Sequence, residues 1–415
     1  MCRRASALLY AGVLLLAVSC TGNETDGPTG PADLARGGAA PLTAAPSSLA
    51  LSIPAASGTV LTASVQYSGT ITATTSSAAC ATVNPLTAPA TKPRGSSLYV
   101  ATFTVTPVGA GSCTITLADK RGATSPVPVV VRHAIPTDGT KLVVLSDRDG
   151  TFDLYLGDPD GTDMVRLTNS AEVEDDPVLS PDRSRIAFAS NVSGTNNIYL
   201  MNADGSGRTQ LTFFDIDFGE RFGAVDPAFS PDGSQIAFSL YPGFGGEGVH
   251  IHVVDAVAGT DPVQITAGST VNTEPGYAPD GRIVFTSRGV EDLWTSIWIM
   301  FGNGASPTRL TSEPNAGDGG ASVSPDGSTI AFARGNGVSD SEIWLMDIDG
   351  TNERVLTANA DPDGLPVFRP GGEWLAFVSR RSGAEEVIVM KLDRPESEAW
   401  NITSNSGRDL RFDWK

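Results

Sequence analysis

A short pattern repeated six times over residues 141–415 constrains this chain more than any other feature of its sequence. The clearest copy, residues 226–238, reads DPAFSPDGSQIAF, and every copy ends in a hydrophobic residue followed by Thr. The hydrophobic residues of the six closing pairs are Leu167, Leu211, Ile265, Leu310, Leu356 and Ile402. By subtraction, successive pairs lie 44, 54, 45, 46 and 46 residues apart. A repeat of about 40–50 residues made of strand-sized pieces is typical of a β-propeller blade.

Each repeat divides into four short strands separated by turn residues. The first strand ends in a turn such as Ser-Pro-Asp-Gly at 324–327, where Pro presets φ and Gly adopts a positive φ. The second strand is small and apolar, as at 330–332, and the third contains β-branched and aromatic residues, as at 343–346. A Gly turn at 349–351 precedes the closing strand. Runs this short and apolar predict buried strands rather than helices.

The two ends of the array predict how the ring closes. The first repeat, which begins at Lys141, has no first strand before it, whereas residues 409–415 resemble a first strand. Trp414 follows Ile402 by 12 residues, as Leu179 follows Leu167. We therefore expect an all-β chain whose C-terminal strand completes the first blade of a six-bladed propeller and removes the exposed sheet edges.

The repeat resembles the TolB-type six-bladed propeller over residues 141–415. The resemblance implies a periplasmic scaffold and, by analogy with TolB, association with a peptidoglycan-bound lipoprotein. The same blade occurs in the gating propellers of prolyl-oligopeptidase-like enzymes and in pectin-fragment lyases, so the fold alone does not define the function. TolB carries a small α/β domain before its propeller, whereas the corresponding segment of this chain is Thr/Val-rich and strand-like.

The N-terminal segment predicts export and a lipid anchor. Arg3 and Arg4 precede an apolar run at 7–18, and residues 17–20 read AVSC. This arrangement resembles a bacterial lipoprotein signal, with residues 1–19 as the signal peptide and Cys20 as the lipidated residue. The alternative is ordinary signal-peptidase cleavage that discards Cys20. Residues 20–46 are rich in Gly, Pro, Thr and Ala and predict a flexible tether. The predicted location is the cell envelope, on the periplasmic face of the outer membrane or on the cell surface.

Residues 47–133 predict a second domain, which precedes the propeller at 134–415. Thr/Val-rich runs at 59–67, 98–105, 113–117 and 127–131 are strand-sized and resemble a bacterial immunoglobulin-like sandwich. This region holds Cys80 and Cys113, whereas the other two cysteines belong to the signal segment. In an oxidising compartment the pair predicts a disulfide. A redox or metal pair is the competing interpretation.

Charge divides the chain into two unlike parts. Residues 42–133 carry five Lys/Arg and one acidic residue, a net charge of +4. Residues 134–415 carry 20 Lys/Arg and 43 Asp/Glu, a net charge of −23. An acidic propeller repels nucleic acid and anionic lipid, so the expected membrane contact is the lipid anchor alone. Solubility is the simplest explanation of the acidity.

The longest loops of the repeat array, 213–224 and 241–248, predict a protein-binding surface, because binding sites favour elaborated loops on a rigid scaffold. The partner-binding candidates are Phe213, Phe214, Asp215, Asp217, Phe218, Glu220, Phe222, Tyr241 and Phe244. The alternative is that several of these aromatic side chains fold under the loops as a small satellite core.

Acidic residues accompany these loops on the same side of the predicted ring. They are Glu172, Glu174, Asp175, Asp176, Asp215, Asp217, Glu220, Asp226, Glu274, Asp318 and Asp363. Such a group is able to attract a basic segment or a calcium ion. Ordinary solvated loop carboxylates are the competing interpretation.

No enzyme signature is apparent. The sequence has no Gly-x-Ser-x-Gly elbow, and its three histidines limit general-base chemistry. His250 and His252 alternate along one predicted strand, and a packed strand explains them better than a metal site does. We therefore expect no catalytic residue, metal or cofactor, and a propeller that binds an envelope protein or peptide. The alternative is carbohydrate binding or polysaccharide lysis at the same loop-bearing face of the ring.

Overall fold

The computed structural model describes residues 42–415 except 54–58, 66–68, 79, 95, 109–110, 134, 136–138, 170–171, 216–222, 243–247, 337–339, 404 and 406. Cys20 and five of the partner-binding candidates, namely Asp217, Phe218, Glu220, Phe222 and Phe244, lie outside the described residues. Within the described part, the only helical element is one 3₁₀ turn, Glu396–Glu398, and no helix is of a length and apolarity suited to crossing a bilayer.

The N-terminal region contains nine strands in two sheets around one hydrophobic core. These strands are β1 (Thr43–Ala45), β2 (Leu49–Ile53), β3 (Thr59–Val65), β4 (Gly69–Thr75), β5 (Ala81–Asn84), β6 (Thr87–Ala90), β7 (Tyr99–Pro107), β8 (Gly111–Asp119) and β9 (Thr124–His133). One sheet has the order β1-β3-β7-β5 and the other β2-β9-β8-β4-β6. Cys80, just before β5, forms a disulfide with Cys113 on β8, with 6.2 Å between their Cα atoms. The predicted pairing is thus confirmed, and it joins the two sheets.

The rest of the chain forms six four-stranded sheets, which we call propeller sheets 1 to 6. Sheet 1 contains β10 (Leu142–Ser146), β11 (Asp153–Gly157), β12 (Val165–Arg166) and β33 (Asp409–Trp414). Sheet 2 contains β13 (Glu174–Leu179), β14 (Arg185–Ser190), β15 (Asn197–Asn202) and β16 (Thr209–Gln210). Sheet 3 contains β17 (Gly223–Phe229), β18 (Gln235–Tyr241), β19 (His250–Asp255) and β20 (Val263–Gln264).

Sheets 4 to 6 repeat the same antiparallel order. Sheet 4 contains β21 (Val271–Tyr277), β22 (Ile283–Arg288), β23 (Ser296–Met300) and β24 (Thr308–Arg309). Sheet 5 contains β25 (Gly317–Val323), β26 (Thr329–Gly335), β27 (Glu342–Asp347) and β28 (Arg354–Val355). Sheet 6 contains β29 (Asp363–Phe368), β30 (Trp374–Ser379), β31 (Glu386–Lys391) and β32 (Trp400–Asn401).

The innermost strands contact one another in a closed circuit, in the order β33, β13, β17, β21, β25, β29 and back to β33. Sheet 1 takes its innermost strand from the C-terminus, since Leu142 on β10 pairs with Trp414 on β33. The predicted role of the C-terminal strand is therefore confirmed. This pairing covers the inner edge of β10, which would otherwise be open.

Equivalent aromatic and glycine residues pack the sheets together. The second strands of sheets 2 to 6 bury Phe188, Phe238, Phe285, Phe332 and Phe377. The outer turn of sheet 2 lies against sheet 1, where a Cβ on Gly205 would approach the Leu167 carbonyl oxygen to 3.1 Å. Gly205 also has a φ of +83°, which disfavours any side chain. The closing residues Ile265, Leu310 and Ile402 are approached in the same way by a turn glycine of the next sheet.

Candidate axial binding site

Five innermost strands bulge at the same place in the repeat and turn one residue toward the axis. In β13 the pairing register shifts between Asp175 and Val178, and Asp176 has a φ of 49°. The equivalent residues of β17, β21, β25 and β29 also have positive φ. With the matching residue of β33, they form what we call the axial ring: Asp176, Asp226, Glu274, Gly320, Leu365 and Arg411. Since Asp tolerates this conformation better than most residues, the bulge explains its presence at two of these positions.

The axial ring lines a cavity of about 490 Å³ enclosed by the innermost strands. The ring residue is the third or fourth residue of its strand, and it lies at the end of the cavity nearer to the second-to-third strand loops and the links between sheets. At the opposite end the cavity is lined by the prolines of the first turns: Pro181, Pro231, Pro279, Pro325 and Pro370. A volume of this size falls within the range of small-ligand sites and admits one or two side chains of a peptide.

Three consecutive ring carboxylates are held in place by the backbone of the next sheet. The amide of Asp226 donates to Asp176 Oδ2 at 3.2 Å, and the amide of Glu274 donates to Asp226 Oδ2 at 3.3 Å. The amide of Gly320 donates to Glu274 Oε2 at 2.7 Å. Hydroxyl groups on the second strands add further contacts, because Ser239 donates to Asp226 and Thr286 to Glu274. These contacts fix the carboxylates before any ligand arrives, which lowers the entropy cost of binding.

The ring is electrostatically one-sided. Its acidic half belongs to sheets 2, 3 and 4, whereas Gly320 and Leu365 make the sheet 5 and 6 positions uncharged. The ring cation, Arg411, lies 3.1 Å from Asp176 through its Nε. The Asp176 carboxylate is the largest of the charges that raise the pKa of Arg411, so this side chain stays charged.

Burial and like charge hold a proton on Asp226. Desolvation, together with the neighbouring Asp176 and Glu274, raises the pKa of Asp226 to about 8. Burial and the same three carboxylates raise the pKa of Tyr241 to about 12, so its hydroxyl remains a donor at neutral pH. The site therefore presents both ionised and protonated oxygen groups near neutral pH. A cationic ligand would favour loss of the Asp226 proton.

Several acidic residues predicted to lie in solvent are instead buried in ion pairs. Glu174, Asp318 and Asp363 are at most 1 % exposed. Arg208 Nη1 lies 2.6 Å from Glu174 Oε1, and Arg381 Nη2 lies 2.7 Å from Asp363 Oδ2. The solvated-loop interpretation is wrong for these three carboxylates. They precede the axial-ring position by two residues, and each pairs with an arginine of its own repeat instead of facing the cavity.

The predicted aromatic cluster is divided by the structure. Phe213 is 73 % exposed, and Asp215 is also exposed. Phe214 is half-buried against the core of sheet 3, with its ring 6.1 Å from that of Phe238, and its amide donates to Asn197 Oδ1 at 2.8 Å. Tyr241 is the last residue of β18 rather than a loop residue. Phe214 therefore fits the satellite-core interpretation, whereas Phe213 and Asp215 are exposed on the surface.

Of the two histidines of β19, His252 is a packed core side chain, whereas His250 is half-buried. His252 is 8 % exposed, and its ring stacks on Phe238 with 5.6 Å between centroids. Burial lowers the pKa of His252, so it is neutral at physiological pH. Within the part of the chain that the structure describes, no group of three or more His, Cys, Asp and Glu side chains is arranged to hold a metal.

The sequence contained a signal for the axial site. Aligning the repeats on their Ser-Pro turns places Asp176, Asp226, Glu274 and Arg411 in one column, four or five residues before the turn or its C-terminal counterpart. Three of these four residues belong to the larger acidic set on this side of the ring, so the column is visible only when the repeats are aligned. The bulge is what separates these residues from carboxylates only two positions earlier in the strand.

Comparisons with known proteins agree with this architecture. Residues 218–359 match the family described as TolB beta propeller domain. The chain is 28 % identical over 210 residues to a TolB homolog of Chlorobium luteolum, which covers 50 % of this chain and 34 % of the relative. It is 27 % identical over 172 residues to an uncharacterized protein of Agrobacterium fabrum, covering 40 % of this chain and 54 % of that protein. The chain thus spans between a third and about half of the length of these relatives.

Solved structures show the same fold. The crystal structure of TolB from Acinetobacter baumannii aligns with a TM-score of 0.55 at 20 % identity, covering 74 % of this chain and 79 % of that one. Kuenenia stuttgartiensis hydrazine synthase aligns with the same TM-score at 17 % identity, covering 66 % of this chain and 46 % of that one. The fold and the repeats define an all-β protein of the propeller class. The propeller of this chain is TolB-like.

Proposed function

We propose that this protein is a non-enzymatic scaffold of the cell envelope that binds a protein or peptide at the axial mouth of its propeller. In this proposal the chain is exported, lipid-anchored through Cys20, and built of an immunoglobulin-like sandwich followed by a six-bladed propeller. The carrying observation is the one-sided ring of preorganised carboxylates at the opening of a 490 Å³ cavity. The match to the TolB propeller domain and to TolB homologs supports an envelope role.

The chemistry of the mouth selects a basic, partly apolar segment. Asp176, Asp226 and Glu274 attract a Lys or Arg side chain, whereas Leu365 offers an apolar contact across the ring. A bound cation beside Arg411 must lie toward the sheet 3 and 4 side of the ring, away from that guanidinium. The exposed Phe213 lies in the link between sheets 2 and 3 and provides an aromatic contact at the rim.

Site-specific photo-crosslinking in intact envelopes tests this proposal. A benzoylphenylalanine at Leu365 should crosslink a discrete partner through a basic segment, whereas the same group at the exposed outer-strand Val263 should not. The triple variant Asp176→Asn, Asp226→Asn, Glu274→Gln should reduce the crosslink at least tenfold, because it removes the charge but keeps the acceptor oxygens.

The matched control removes three carboxylates from the opposite face, in the variant Asp182→Asn, Asp232→Asn, Asp326→Asn. Equal crosslinking in the two triple variants would remove the axial ring from the binding site. Metal-dependent cleavage of a surface glycan, lost in His250→Ala with His252→Ala, would replace the scaffold by the lyase alternative.

A further inference from the structure

Four basic side chains of the N-terminal region lie at one end of its sheets. Lys92 and Arg94 follow β6, and Lys120 and Arg121 form the turn between β8 and β9. The strands β6, β4 and β8 are neighbours in one sheet. The methylene chain of Lys120 lies against Gly69, the β4 residue that pairs with the last residue of β6. With about 4.8 Å between neighbouring strands, the two segments lie about 10 Å apart.

These four residues, which we call the basic end, are all exposed. Asp119 is the one acidic residue in 42–133. Its Oδ1 accepts the backbone amides of Arg121 at 2.8 Å and Ala123 at 3.0 Å, so it serves the turn. By subtraction the basic end keeps a net charge of about +3, concentrated on one small surface.

The chain arrives from its N-terminus at this same end. Thr43, at the start of β1, pairs with Ser64, which in turn pairs with Val100. Val100 bridges to Thr91, the neighbour of Lys92. The strand that leads on to the propeller finishes at the opposite end, where Val131 pairs with Gly111 on β8. The basic end is therefore the end nearest to residues 1–41.

We propose that the basic end binds the anionic headgroup surface of the membrane that carries the lipid anchor. This inference rests on the anchor at Cys20 that forms part of the proposed function. The part of the predicted tether that precedes β1, residues 20–41, would have a root-mean-square reach of roughly 25 Å as a random coil, which would keep the basic end close to the headgroups. At such a local concentration weak attraction between Lys or Arg and lipid phosphate suffices for binding.

The anionic headgroup surface also repels the propeller, whose residues 134–415 have a net charge of −23. Attraction at one end of the chain and repulsion at the other favour an orientation with the sandwich against the bilayer and the propeller away from it. Membrane contact then includes a protein surface in addition to the anchor expected from the sequence. The competing occupant is the acidic propeller of a second copy, which the arrival point of the N-terminal segment does not favour.

Vesicle partitioning tests the proposal with the full chain. Apparent partition coefficients are measured by lipid titration, once with pure phosphatidylcholine and once with phosphatidylcholine containing phosphatidylglycerol. The readout is the change in the ratio of the two coefficients between variants, because the N-terminal segment, with its basic Arg3 and Arg4, contributes equally to the ratio of every variant. Lys120→Gln with Arg121→Gln should lower the ratio about fivefold for each charge removed. Adding Lys92→Gln and Arg94→Gln should lower it again by about fivefold for each charge.

The matched control removes two exposed charges from the propeller, in Arg288→Gln with Arg354→Gln, and should leave the ratio unchanged. An unchanged ratio in the fourfold variant would overturn the proposal, as would an equal loss in the control. Salt-sensitive self-association without lipid, lost in the fourfold variant, would assign the basic end to a second copy. Because partner crosslinking at Leu365 does not enter this readout, failure here leaves the proposed scaffold function intact.

Discussion

Sheets 3 and 4 place their charges differently from sheets 5 and 6. At the axial ring, sheets 3 and 4 carry Asp226 and Glu274, whereas sheets 5 and 6 carry Gly320 and Leu365. Two residues earlier in the same strands the order is reversed. Sheets 3 and 4 have Ala224 and Asn272 there, and sheets 5 and 6 have the ion-paired Asp318 and Asp363.

One repeat therefore supplies two independent positions for a carboxylate, the axial-ring position and the position two residues before it. The earlier position faces an arginine that lies on aromatic rings, as Arg334 does over Phe332 and Trp344, at 5.1 and 4.8 Å. That pair belongs to the structure of the sheet. The axial position has no such arginine in sheets 3 and 4, so its carboxyl groups are available to a ligand. Stability and binding are thus separated by two residues of one strand.

The largest expected effect comes from breaking the structural charge of sheet 5. Asp318 accepts two bonds from Arg334, at 2.6 and 3.0 Å, and its side chain is fully buried. Asp318→Ala should lower the free energy of unfolding by about 3–5 kcal/mol, since the guanidinium loses its main partner. Asn272→Ala in sheet 4 removes three neutral hydrogen bonds and should cost about 1–3 kcal/mol. Chemical denaturation measures both.

The double variant Asp318→Ala with Arg334→Met controls for packing. It removes the unpaired charge and should recover much of the lost stability. Equal losses in Asp318→Ala and Asn272→Ala would show that the buried charge of sheet 5 contributes no more to stability than the neutral side chain at the matching position of sheet 4.

A second effect should depend on pH. The folded-state pKa of Asp226 is about 8 and its unfolded value is 3.8, so the unfolded chain releases this proton first. The contribution of Asp226 to stability therefore falls as pH rises from about 4 to about 8 and is then constant. Asp226→Asn should become more stable than the parent across this window, by about 1 kcal/mol or more. Unfolding curves at several pH values, with Asp215→Asn as the exposed control, measure the difference. A gap that does not change with pH would contradict the raised pKa.

A smaller effect concerns the uncharged half of the ring. Leu365 has a φ of 53°, a conformation that costs a branched side chain roughly 1–2 kcal/mol. Leu365→Asn should therefore raise the free energy of unfolding by up to about 1 kcal/mol, because Asn adopts positive φ more readily. Leu410→Asn, at a half-buried position without positive φ, should instead destabilise the protein. Thermal unfolding distinguishes the two, and destabilisation by both would show that the bulge in β29 stores no strain.

The smallest effect is expected at the first turns, on the face opposite the axial ring, where sheets 3 and 5 carry the same Ser-Pro-Asp-Gly motif. Hydrogen bonds from Ser230 and Ser234 lower the pKa of Asp232 to about 2, and those from Ser324 and Ser328 do the same for Asp326. Their contribution is present above the unfolded value of 3.8 and is lost as pH falls toward 2. Asp232→Asn and Asp326→Asn should each shift the acid-unfolding midpoint upward slightly and equally. Unequal shifts would show that the turn face also differs between sheets 3 and 5.

The fold was accessible from the sequence because the repeat is local and regular. The turn at 230–233, the apolar second strands and the matching positions of Trp414 and Leu179 each predicted a feature that the structure contains. In the N-terminal region the runs that became β3, β7, β8 and β9 were predicted. β1, which lies within the predicted tether at 20–46, and β2 were not, and neither were β4, β5 and β6. Those strands alternate small polar and apolar residues and lack the aromatic residues that mark the propeller strands.

The axial site was less accessible, because a bulge decides it. A shift of one residue in register turns a side chain from one face of a strand to the other. Glu174 and Asp176 look equivalent in the sequence, yet one is buried beside Arg208 and the other lines the cavity. The partners also lie far away in the chain, as Asp176 and Arg411 illustrate, and one sequence without its pairing pattern cannot place them together.

Joining β10 to β33 makes completion of the chain a condition for closing the ring. Leu142 pairs with Trp414 across 272 residues by subtraction, so sheet 1 cannot be completed before β33 has been synthesised. Until then β10 has an open edge, which is a template for misplaced pairing and an opening for proteases. A chain that stops before residue 409 can form most of its sheets and still lack Arg411 in the cavity. Only a chain synthesised through β33 therefore acquires both a complete sheet 1 and a complete axial ring.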